Sequence, residues 1–341
     1  MSLNKINICI IGATGYVGVD LVYFLSKHPK ANIKYLCAKN NTGKKISLFN
    51  NKIKKRLPII TNVKSVNWKS VDLVFLSLPN GQAQTTIKKI YSYKHLKFID
   101  LSADFRLSSY KDYERWYKKK HQAKELIKNS IYSISEFTKK KISNYRIIGN
   151  PGCYPTSIQL ALNPLLKNRF LPEEITIDSK SGFSGAGKNY KKKFKHNNFD
   201  FSVHAYGIKK HRHMSELDQE FLKVAGRKIN YSFNPHLLPT FRGILSSIYL
   251  KNKKTNPRKI LKQLKKAHKK NSFIKILPLN SQIGTGNVLN TNMCHISVCE
   301  TNQKNKSVIF VAIDNLVKGA AGQAIQNMNL LYCLNEKLGL K

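Results

Sequence analysis

The sequence is poor in acidic residues and contains no long hydrophobic run. Its 341 residues include 18 aspartates and glutamates against 60 lysines and arginines, which gives a formal net charge of +42. No apolar run approaches the roughly 18 residues that a membrane-spanning helix needs, so we expect no membrane partner. The chain starts with a strand-like run, Ile6–Ile11, and lacks the ordered segments of a secretory signal.

Cysteine is also sparse, and none of the six cysteines forms a C-x-x-C pair. In a chain of this length without a secretory signal, scattered cysteines are typical of free thiols in a reducing compartment. We therefore expect a cytoplasmic protein.

The excess of positive charge raises the hypothesis of nucleic-acid binding. The lysines are spread along the chain in short runs, such as Lys118–Lys120, Lys139–Lys141 and Lys191–Lys193, and no DNA- or RNA-binding module stands beside them. This spread favours a lysine-rich solvated surface without a specific nucleic-acid partner. A basic nucleic-acid binder with a decayed active site remains the alternative.

Two domains are expected from the length and from the order of predicted elements. In residues 1–150, short apolar runs alternate with helical patterns, which predicts an α/β domain with a Rossmann-like, doubly wound parallel sheet. Residues 151–319 contain longer strands with period-two alternation, which predicts an α+β domain with a mainly antiparallel sheet. A helix over residues 320–341 is expected to pack back on the first domain.

A glycine-rich turn follows the first predicted strand and opens the first predicted helix. Its spacing is G-x-x-G-x-x-G, a variant of the dinucleotide-binding fingerprint, and its members are Gly12, Ala13, Thr14, Gly15, Tyr16, Val17 and Gly18. Glycines let backbone N–H groups at a helix start approach a pyrophosphate. A purely structural turn is the alternative interpretation.

The residues after the second predicted strand indicate which dinucleotide is preferred. NAD-specific domains place an acidic residue here to bind the ribose 2′-hydroxyl. This chain has no acid at that place and has Lys39. The pattern therefore favours NADP(H), although a lysine is common anywhere in this sequence.

Cys153 stands out from the other cysteines because of its neighbours. It lies in the segment Asn150–Thr156, between a glycine and a proline, and a helical pattern follows. Pro155 suits a first helical turn, so we expect Cys153 at a helix N-terminus, where the helix dipole stabilises a thiolate. A thiolate is the form of cysteine that attacks acyl carbons.

A nucleophilic thiol needs a proton acceptor and donor, and the best candidates are His211 and His213. A metal site made with His204 or Cys153 is the competing interpretation. We expect no metal, because no cluster of cysteine or carboxylate ligands accompanies these residues. A second loop of small residues, Ser181–Gly187, could allow a ligand to approach the backbone or could be a simple turn.

Four segments together carry a resemblance to a known family: Asn150–Thr156, His211–His213, Pro235–Gly243 and Asp314–Asn329. They resemble the N-acetyl-gamma-glutamyl-phosphate reductases of arginine biosynthesis, in their longer form. The resemblance extends from about residue 6 to about residue 335.

The resemblance implies a mechanism. Cys153 attacks the acyl phosphate and expels phosphate, NADPH reduces the resulting thioester, and the semialdehyde is released. His211 would transfer the protons, with His213 as the second choice.

The resemblance also implies binding roles. It places Asn315 and Gln323 near the nicotinamide, Ser181 and Gly182 along the cofactor, and Ser184 along the acyl site. Ser102, Arg106 and Arg242 are the expected contacts for the phosphate or carboxylate, because arginine binds such groups in a bidentate manner.

The substrate and the assembly are less closely defined. Aspartyl phosphate and aminoadipyl phosphate are neighbouring substrates, and the Pro-Gly-Cys-Tyr-Pro context speaks against the first but not the second. A homodimer or homotetramer is expected through the sheet of the second domain.

Overall fold

A computed structural model of the chain describes residues 5–166, 170–188, 202–251 and 255–340. The lysine run at 191–193 lies outside these ranges. The chain divides into two compact units, unit 1 (Met1–Pro151 with Ala320–Lys341) and unit 2 (Gly152–Gly319). None of the helices in the described ranges has the length and apolar character needed to cross a membrane.

Unit 1 contains a seven-stranded sheet in which every pair of neighbouring strands is parallel. Its strand order is β3-β2-β1-β4-β5-β7-β6. The strands are β1 (Ile6–Ile11), β2 (Ala31–Cys37), β3 (Ile60–Thr61), β4 (Leu73–Leu76), β5 (Lys97–Asp100), β6 (Ser130–Tyr132) and β7 (Ile147–Gly149). The first four helices are α1 (Tyr16–Lys27), α2 (Gln82–Ile90), α3 (Tyr110–Tyr117) and α4 (Ser135–Thr138).

The central strands of this sheet are buried on both faces. All four residues of β4 are buried, and β1 is buried at every position except Asn7. Continuous apolar strands of this kind are typical of parallel sheets covered by helices on both sides. The predicted Rossmann-like, doubly wound fold is confirmed.

Unit 2 contains a second seven-stranded sheet with the order β12-β13-β14-β11-β8-β10-β9. Its strands are β8 (Glu174–Gly182), β9 (His204–Ala205), β10 (Ser232–Leu238), β11 (Ile244–Lys251), β12 (Ile274–Ile276), β13 (Cys294–Glu300) and β14 (Lys306–Ile313). Within the described residues its α-helices are α5 (Cys153–Leu162), α6 (Met214–Ala225) and α7 (Pro257–His268). Only β8–β10 and β12–β13 are parallel, so the prediction of a mainly antiparallel sheet is confirmed.

The two faces of this second sheet differ in chemistry. Ile248 and Ser246 of β11 are buried, and the Ser246 hydroxyl lies 2.9 Å from that of Ser157 on α5, so this face packs against a helix. Tyr249, on the opposite face, is 47% exposed. β14 lies in the middle of the sheet, between β11 and β13.

A π-helical turn, Val317–Ala321, contains the change from unit 2 to unit 1 at Ala320, and α8 (Gly322–Leu331) of unit 1 follows it. The helix predicted over residues 320–341 is therefore shorter in the structure. It ends because Cys333 has a left-handed backbone with φ of 54°, and the Leu334 N–H turns back to the Asn329 carbonyl. Residue 341 lies outside the described ranges.

Candidate active site

The predicted nucleotide turn of unit 1 joins β1 to α1. The N–H groups of Gly12 and Ala13 donate to the carbonyl of Cys37 at the end of β2, at 2.8 and 3.1 Å. Gly15 is the N-cap of α1, no side chain caps this helix, and its first turn contains no acidic residue. The helix start therefore keeps a positive electrostatic end that suits an anion.

The three glycines of the turn serve different purposes. A Cβ at Gly12 would lie 2.1 Å from the carbonyl oxygen of Ser77, and one at Gly18 would lie 2.1 Å from that of Gly12. A Cβ at Gly15 would meet only the Gly12 carbonyl oxygen, at 3.5 Å. Packing inside the protein thus requires glycine at 12 and 18, whereas Gly15 leaves room for a ligand, which fits a dinucleotide pyrophosphate.

The other predicted cofactor contacts in unit 1 also fit such a ligand. Lys39 is exposed and lies two residues after Cys37, the end of β2 whose carbonyl binds the N–H groups of the turn. Thr14, Tyr16 and Val17 are partly exposed, and Ala13 is buried.

Gln323 of α8 is fully buried, and its amide nitrogen donates to the hydroxyl of Ser135 at 2.6 Å. Within the described part of the chain its amide oxygen has no hydrogen-bond partner. Because a buried acceptor without a donor is costly, this oxygen fits a ligand that brings an N–H, such as a carboxamide.

Ser102 and Arg106 lie in the loop after β5 of unit 1, and both are buried. The Arg106 guanidinium donates to the carbonyls of Asn150 and Leu101, at 2.8 and 2.9 Å. The Ser102 N–H donates to Asp100, at 2.8 Å. These contacts give both residues a part in the loop structure that the sequence did not predict.

Two buried aspartates organise the same region and were not predicted. Asp104 accepts hydrogen bonds from the N–H groups of Gly81 and Gln84, at the start of α2, and from the Tyr113 hydroxyl. Burial, together with the nearby charge of Asp104, raises the pKa of Asp100 to about 7. The sequence indicated Ser102 and Arg106, whereas the hydrogen bonds of this loop are made to Asp100 and Asp104.

In unit 2, Cys153 is the first residue of the ten-residue helix α5. Gly152 is the N-cap, no side chain caps the helix, and no acidic residue lies in its first turn. Cys153 forms no disulfide and is partly exposed. A helix start of this kind stabilises a thiolate and leaves it accessible to a substrate.

The two candidate histidines have different surroundings. The His213 Nε2 atom lies against Gly152, where a Cβ would approach it to 2.6 Å. The His211 ring is enclosed by the rings of Tyr154, Tyr206 and Phe233, with centroids 5.3 to 5.7 Å away. Burial, and then the charge of Arg212, lowers the pKa of His211 to about 4.

Two tyrosines extend the polar part of this region. The Tyr206 hydroxyl donates to the Tyr154 hydroxyl at 3.3 Å, and Tyr154 donates to the His236 carbonyl at 3.0 Å. Burial raises the pKa of both phenols, so both stay protonated and can donate. Tyr154 follows the cysteine directly, which is the signal that could have identified it.

The other predicted residues of unit 2 lie at the ends of β8 and β14 and just before β11. Asn315 accepts the Gly243 N–H at 2.7 Å and donates to the Ser184 hydroxyl at 2.9 Å. A Cβ at Gly182 would lie 2.7 Å from the Arg242 Cα. The structure therefore brings four predicted residues close together: Gly182, Ser184, Arg242 and Asn315.

Arg242 and Ser181 have further partners in unit 2. The Arg242 guanidinium pairs with the fully buried Asp314 at 3.2 Å. The Ser181 hydroxyl donates to the Gly182 carbonyl at 3.0 Å. Asp314 thus fixes the arginine and was not predicted.

Residues 5–166, 170–188, 202–251 and 255–340 contain no group of three or more His, Cys, Asp or Glu side chains that could hold a metal ion. His204, the residue named for the alternative metal site, lies 2.6 Å from the Ser202 hydroxyl.

Known protein families match both units. Residues 7–145 match the semialdehyde dehydrogenase NAD binding domain, and residues 153–315 match the semialdehyde dehydrogenase dimerisation domain. The N-acetyl-gamma-glutamyl-phosphate reductase of Afipia carboxidovorans is 40% identical over 99% of this chain and 97% of its own length. The chain belongs to the N-acetyl-gamma-glutamyl-phosphate reductase family. The resemblance noted in the sequence is confirmed.

Other members of the reductase family are equally similar. The Brachyspira hyodysenteriae protein of the same name is 41% identical over 98% of both chains. The probable chloroplastic enzyme of Arabidopsis thaliana is 39% identical over 99% of this chain and 84% of its own.

Solved structures share the fold of this reductase family member at low identity. Aspartate semialdehyde dehydrogenase II of Vibrio cholerae, complexed with ASA, has a TM-score of 0.73 and 17% identity and covers 97% of this chain and 99% of its own. The Candida albicans enzyme with NADP has a TM-score of 0.67 and 17% identity, with 96% and 99% coverage.

Proposed function

We propose that this protein reduces N-acetyl-gamma-glutamyl phosphate to N-acetyl-glutamate semialdehyde and phosphate, with NADPH as the reductant. The observation that carries the proposal is the position of Cys153 as the first residue of α5, in a chain 40% identical to reductases of that name. Free phosphate and an aldehyde are the products expected when a thiolate displaces phosphate and the acyl group is then reduced.

Cys153 supplies the nucleophile. Its thiolate, stabilised by the start of α5, attacks the acyl carbon and forms a thioester while the C–O bond to phosphate breaks. NADPH, when bound, supplies the hydride that reduces this carbon. Breaking the C–S bond then releases the semialdehyde and regenerates the thiolate.

We assign the proton transfers to His213 in preference to His211. His213 Nε2 lies beside Gly152, the neighbour of Cys153, whereas His211 is enclosed by aromatic rings and its pKa is lowered to about 4. An imidazole with a pKa near 4 is a weak base at neutral pH, and one enclosed by other rings is poorly placed to exchange protons with a substrate. His211 instead supports His213: its Nδ1 atom accepts a hydrogen bond from the backbone N–H of His213 at 3.2 Å.

Binding of NADP(H) is supported by observations within unit 1. Gly15 leaves room at the start of α1, Lys39 lies after β2, and the Gln323 amide oxygen has no partner in the described part of the chain. These groups would hold the pyrophosphate, the 2′-phosphate and the nicotinamide carboxamide respectively. Ser181, Gly182 and Asn315 complete the proposed cofactor contacts.

We further propose that Ser102, Arg106, Ser184 and Arg242 contact the anionic groups of the substrate. The small acyl phosphate carries several negative charges, which the positive field of this protein attracts. The interior contacts of Arg106 and Arg242 would hold each guanidinium in a fixed orientation for this purpose.

For the assembly, we propose a homodimer or homotetramer formed through the outward face of the unit 2 sheet. That face carries the exposed Tyr249, the Lys180–Asp178 ion pair at 2.7 Å, and His236, whose Nδ1 lies 3.1 Å from Oδ1 of Asp178. Light scattering after size exclusion should give a multiple of the chain mass, and Tyr249→Glu should reduce it. None of the six cysteines forms a disulfide, which supports a reducing compartment such as the cytoplasm.

The deciding experiment is a reverse-direction assay. N-acetyl-glutamate semialdehyde and phosphate are supplied with NADP or NAD, and reduced cofactor is followed by absorbance. Phosphate-dependent reduction of NADP that thiol alkylation abolishes is the expected result. Faster turnover of the aminoadipyl semialdehyde in parallel would reassign the substrate, and no turnover of either by folded protein would refute the proposal.

A further inference from the structure

Glu216 is a buried charge that the mechanism above does not use. It is fully buried in the first turn of α6, three residues after His213. Burying a carboxylate is costly unless it is hydrogen bonded, although the positive end of a helix reduces that cost. The position of this carboxylate therefore calls for a compensating contact.

That contact is with the residue before the nucleophile. The N–H of Gly152 donates to Oε2 of Glu216 at 2.8 Å. Gly152 is the N-cap of α5 and has an extended backbone, with φ of −69° and ψ of 155°. Its N–H lies outside the helix and would be buried without a partner if the carboxylate were absent.

The same glycine also brings Glu216 and His213 together. A Cβ at Gly152 would lie 2.6 Å from Nε2 of His213 and 2.9 Å from Oε1 of Glu216. Both side chains thus occupy the space that a side chain at residue 152 would fill. The backbone before Cys153, the imidazole and the carboxylate are held against one another.

Cys153 is restrained on another side by the π-helical turn. A Cβ at Gly319 would lie 2.7 Å from the Cβ of Cys153. Glycine at 319 therefore lets this turn pack directly against Cys153. Because Cys153 follows Gly152 in the chain, a shift of Gly152 would also move the cysteine.

We propose that Glu216 is a positioning residue for the nucleophile: it accepts the Gly152 N–H, fixes the start of α5, and thereby sets the Cys153 thiol relative to His213. The inference rests on the proposed function of Cys153. Displacing a reacting group by about 1 Å can cost about 10²-fold in rate, which is the effect to look for.

The test compares Glu216→Ala with Glu216→Gln. Both variants remove the charge, and only glutamine keeps an oxygen that can accept the Gly152 N–H, so their difference isolates positioning from electrostatics. The matched control is Glu220→Ala, one turn further along α6, which removes a buried carboxylate bonded to Gln219 and Lys223.

Two readouts are needed. In the reductase assay, Glu216→Ala should lower kcat about 10²-fold with little change in KM, Glu216→Gln should stay within about tenfold of the parent protein, and Glu220→Ala should retain the parent kcat. In iodoacetamide labelling followed by mass spectrometry, Cys153 should react several-fold more slowly in the alanine variant than in the glutamine variant, relative to the exposed Cys333 of the same sample.

The labelling needs no substrate, so it separates this inference from the proposed function. Equal kcat and equal Cys153 labelling in folded Glu216→Ala and Glu216→Gln would overturn the positioning role. If Glu216→Ala does not fold, a kcat of Glu216→Gln as low as that of Cys153→Ser would also overturn the positioning role. If Cys153 is labelled more slowly in Glu216→Ala than in Glu216→Gln but the parent protein reduces no acyl phosphate, the substrate assignment is refuted and the positioning role of Glu216 stands.

Discussion

The starts of α1 and α5 have nearly the same backbone and opposite surroundings. Gly15 and Gly152 are their N-caps, with φ of −70° and −69°, and neither helix has a side-chain cap or an acidic residue in its first turn. A Cβ at Gly15 would meet only a carbonyl oxygen at 3.5 Å, whereas one at Gly152 would collide with His213 and Glu216.

The difference shows two uses of one local structure. At α1 the space beside the helix start is left open, which suits a ligand that brings its own charge. At α5 the space is filled by the protein's side chains, which suits a site that performs chemistry at a fixed thiol. A glycine at a helix N-cap can therefore indicate either a site that binds a ligand or a site where side chains position a reactive residue.

The largest effect should come from removing the thiol. Cys153→Ser keeps the start of α5 but replaces the thiolate with a far weaker nucleophile, so we expect the rate to fall by about 10⁴-fold or more. NADPH affinity, measured by fluorescence titration, should be unchanged because the α1 site is untouched. Activity near that of the parent protein would eliminate the thioester route.

The next largest effect should come from changing His213, one of the two side chains that fill the space beside Gly152. His213→Asn should lower kcat by about 10²–10⁴-fold, the usual contribution of a general acid–base residue. His211→Asn should have a smaller effect, because that ring lies among aromatic side chains. The comparison uses steady-state rates of both variants, and a larger loss at His211 would exchange the two roles.

The enclosed histidine also makes a prediction about acid stability. The unfolded chain takes up a proton near the ordinary His pKa of 6.5, but the folded state does so only near 4, so stability is lost as the pH falls through this window. His211→Asn should reduce this loss by about 3 kcal/mol, measured by urea unfolding at pH 7 and pH 4. An equal loss of stability between pH 7 and pH 4 in the parent protein and in His211→Asn would contradict this prediction.

The smallest effect should come from the open helix start. Gly15→Ala places a methyl group where the pyrophosphate would approach, and we expect NADPH to bind about tenfold more weakly with a change in stability of about 0.5 kcal/mol or less. Gly12→Ala should instead destabilise unit 1 by about 2–4 kcal/mol, because its φ is 87° and its Cβ would strike Ser77. Equal losses of stability would remove the distinction between the two glycines.

Much of the fold could be predicted because its main elements have strong periodicity. The apolar strands β1 and β4 stand out in the sequence, and β1 begins and ends at the predicted residues Ile6 and Ile11. Elements with weak patterns are harder to predict. β10 contains Pro235, and α3 has only one buried residue, Tyr113.

The candidate site was less predictable, for a physical reason. The residue types at Cys153 and at the two histidines indicate nucleophile and base, but choosing between His211 and His213 depends on burial, which the tertiary fold decides. Glu216 is sixty-four positions from its partner Gly152, so no local pattern reveals the contact.

The return of the C-terminus to unit 1 has a consequence for synthesis of the protein. α8 presents buried amides to the rest of unit 1: Asn327 binds Ser133, Ser135 and Asn150, and Gln323 binds Ser135. During synthesis these groups therefore remain unmatched until residues 323–327 have been translated. Unit 2 is one continuous segment, Gly152–Gly319, and is translated before α8, so unit 1 is begun before unit 2 and completed after it.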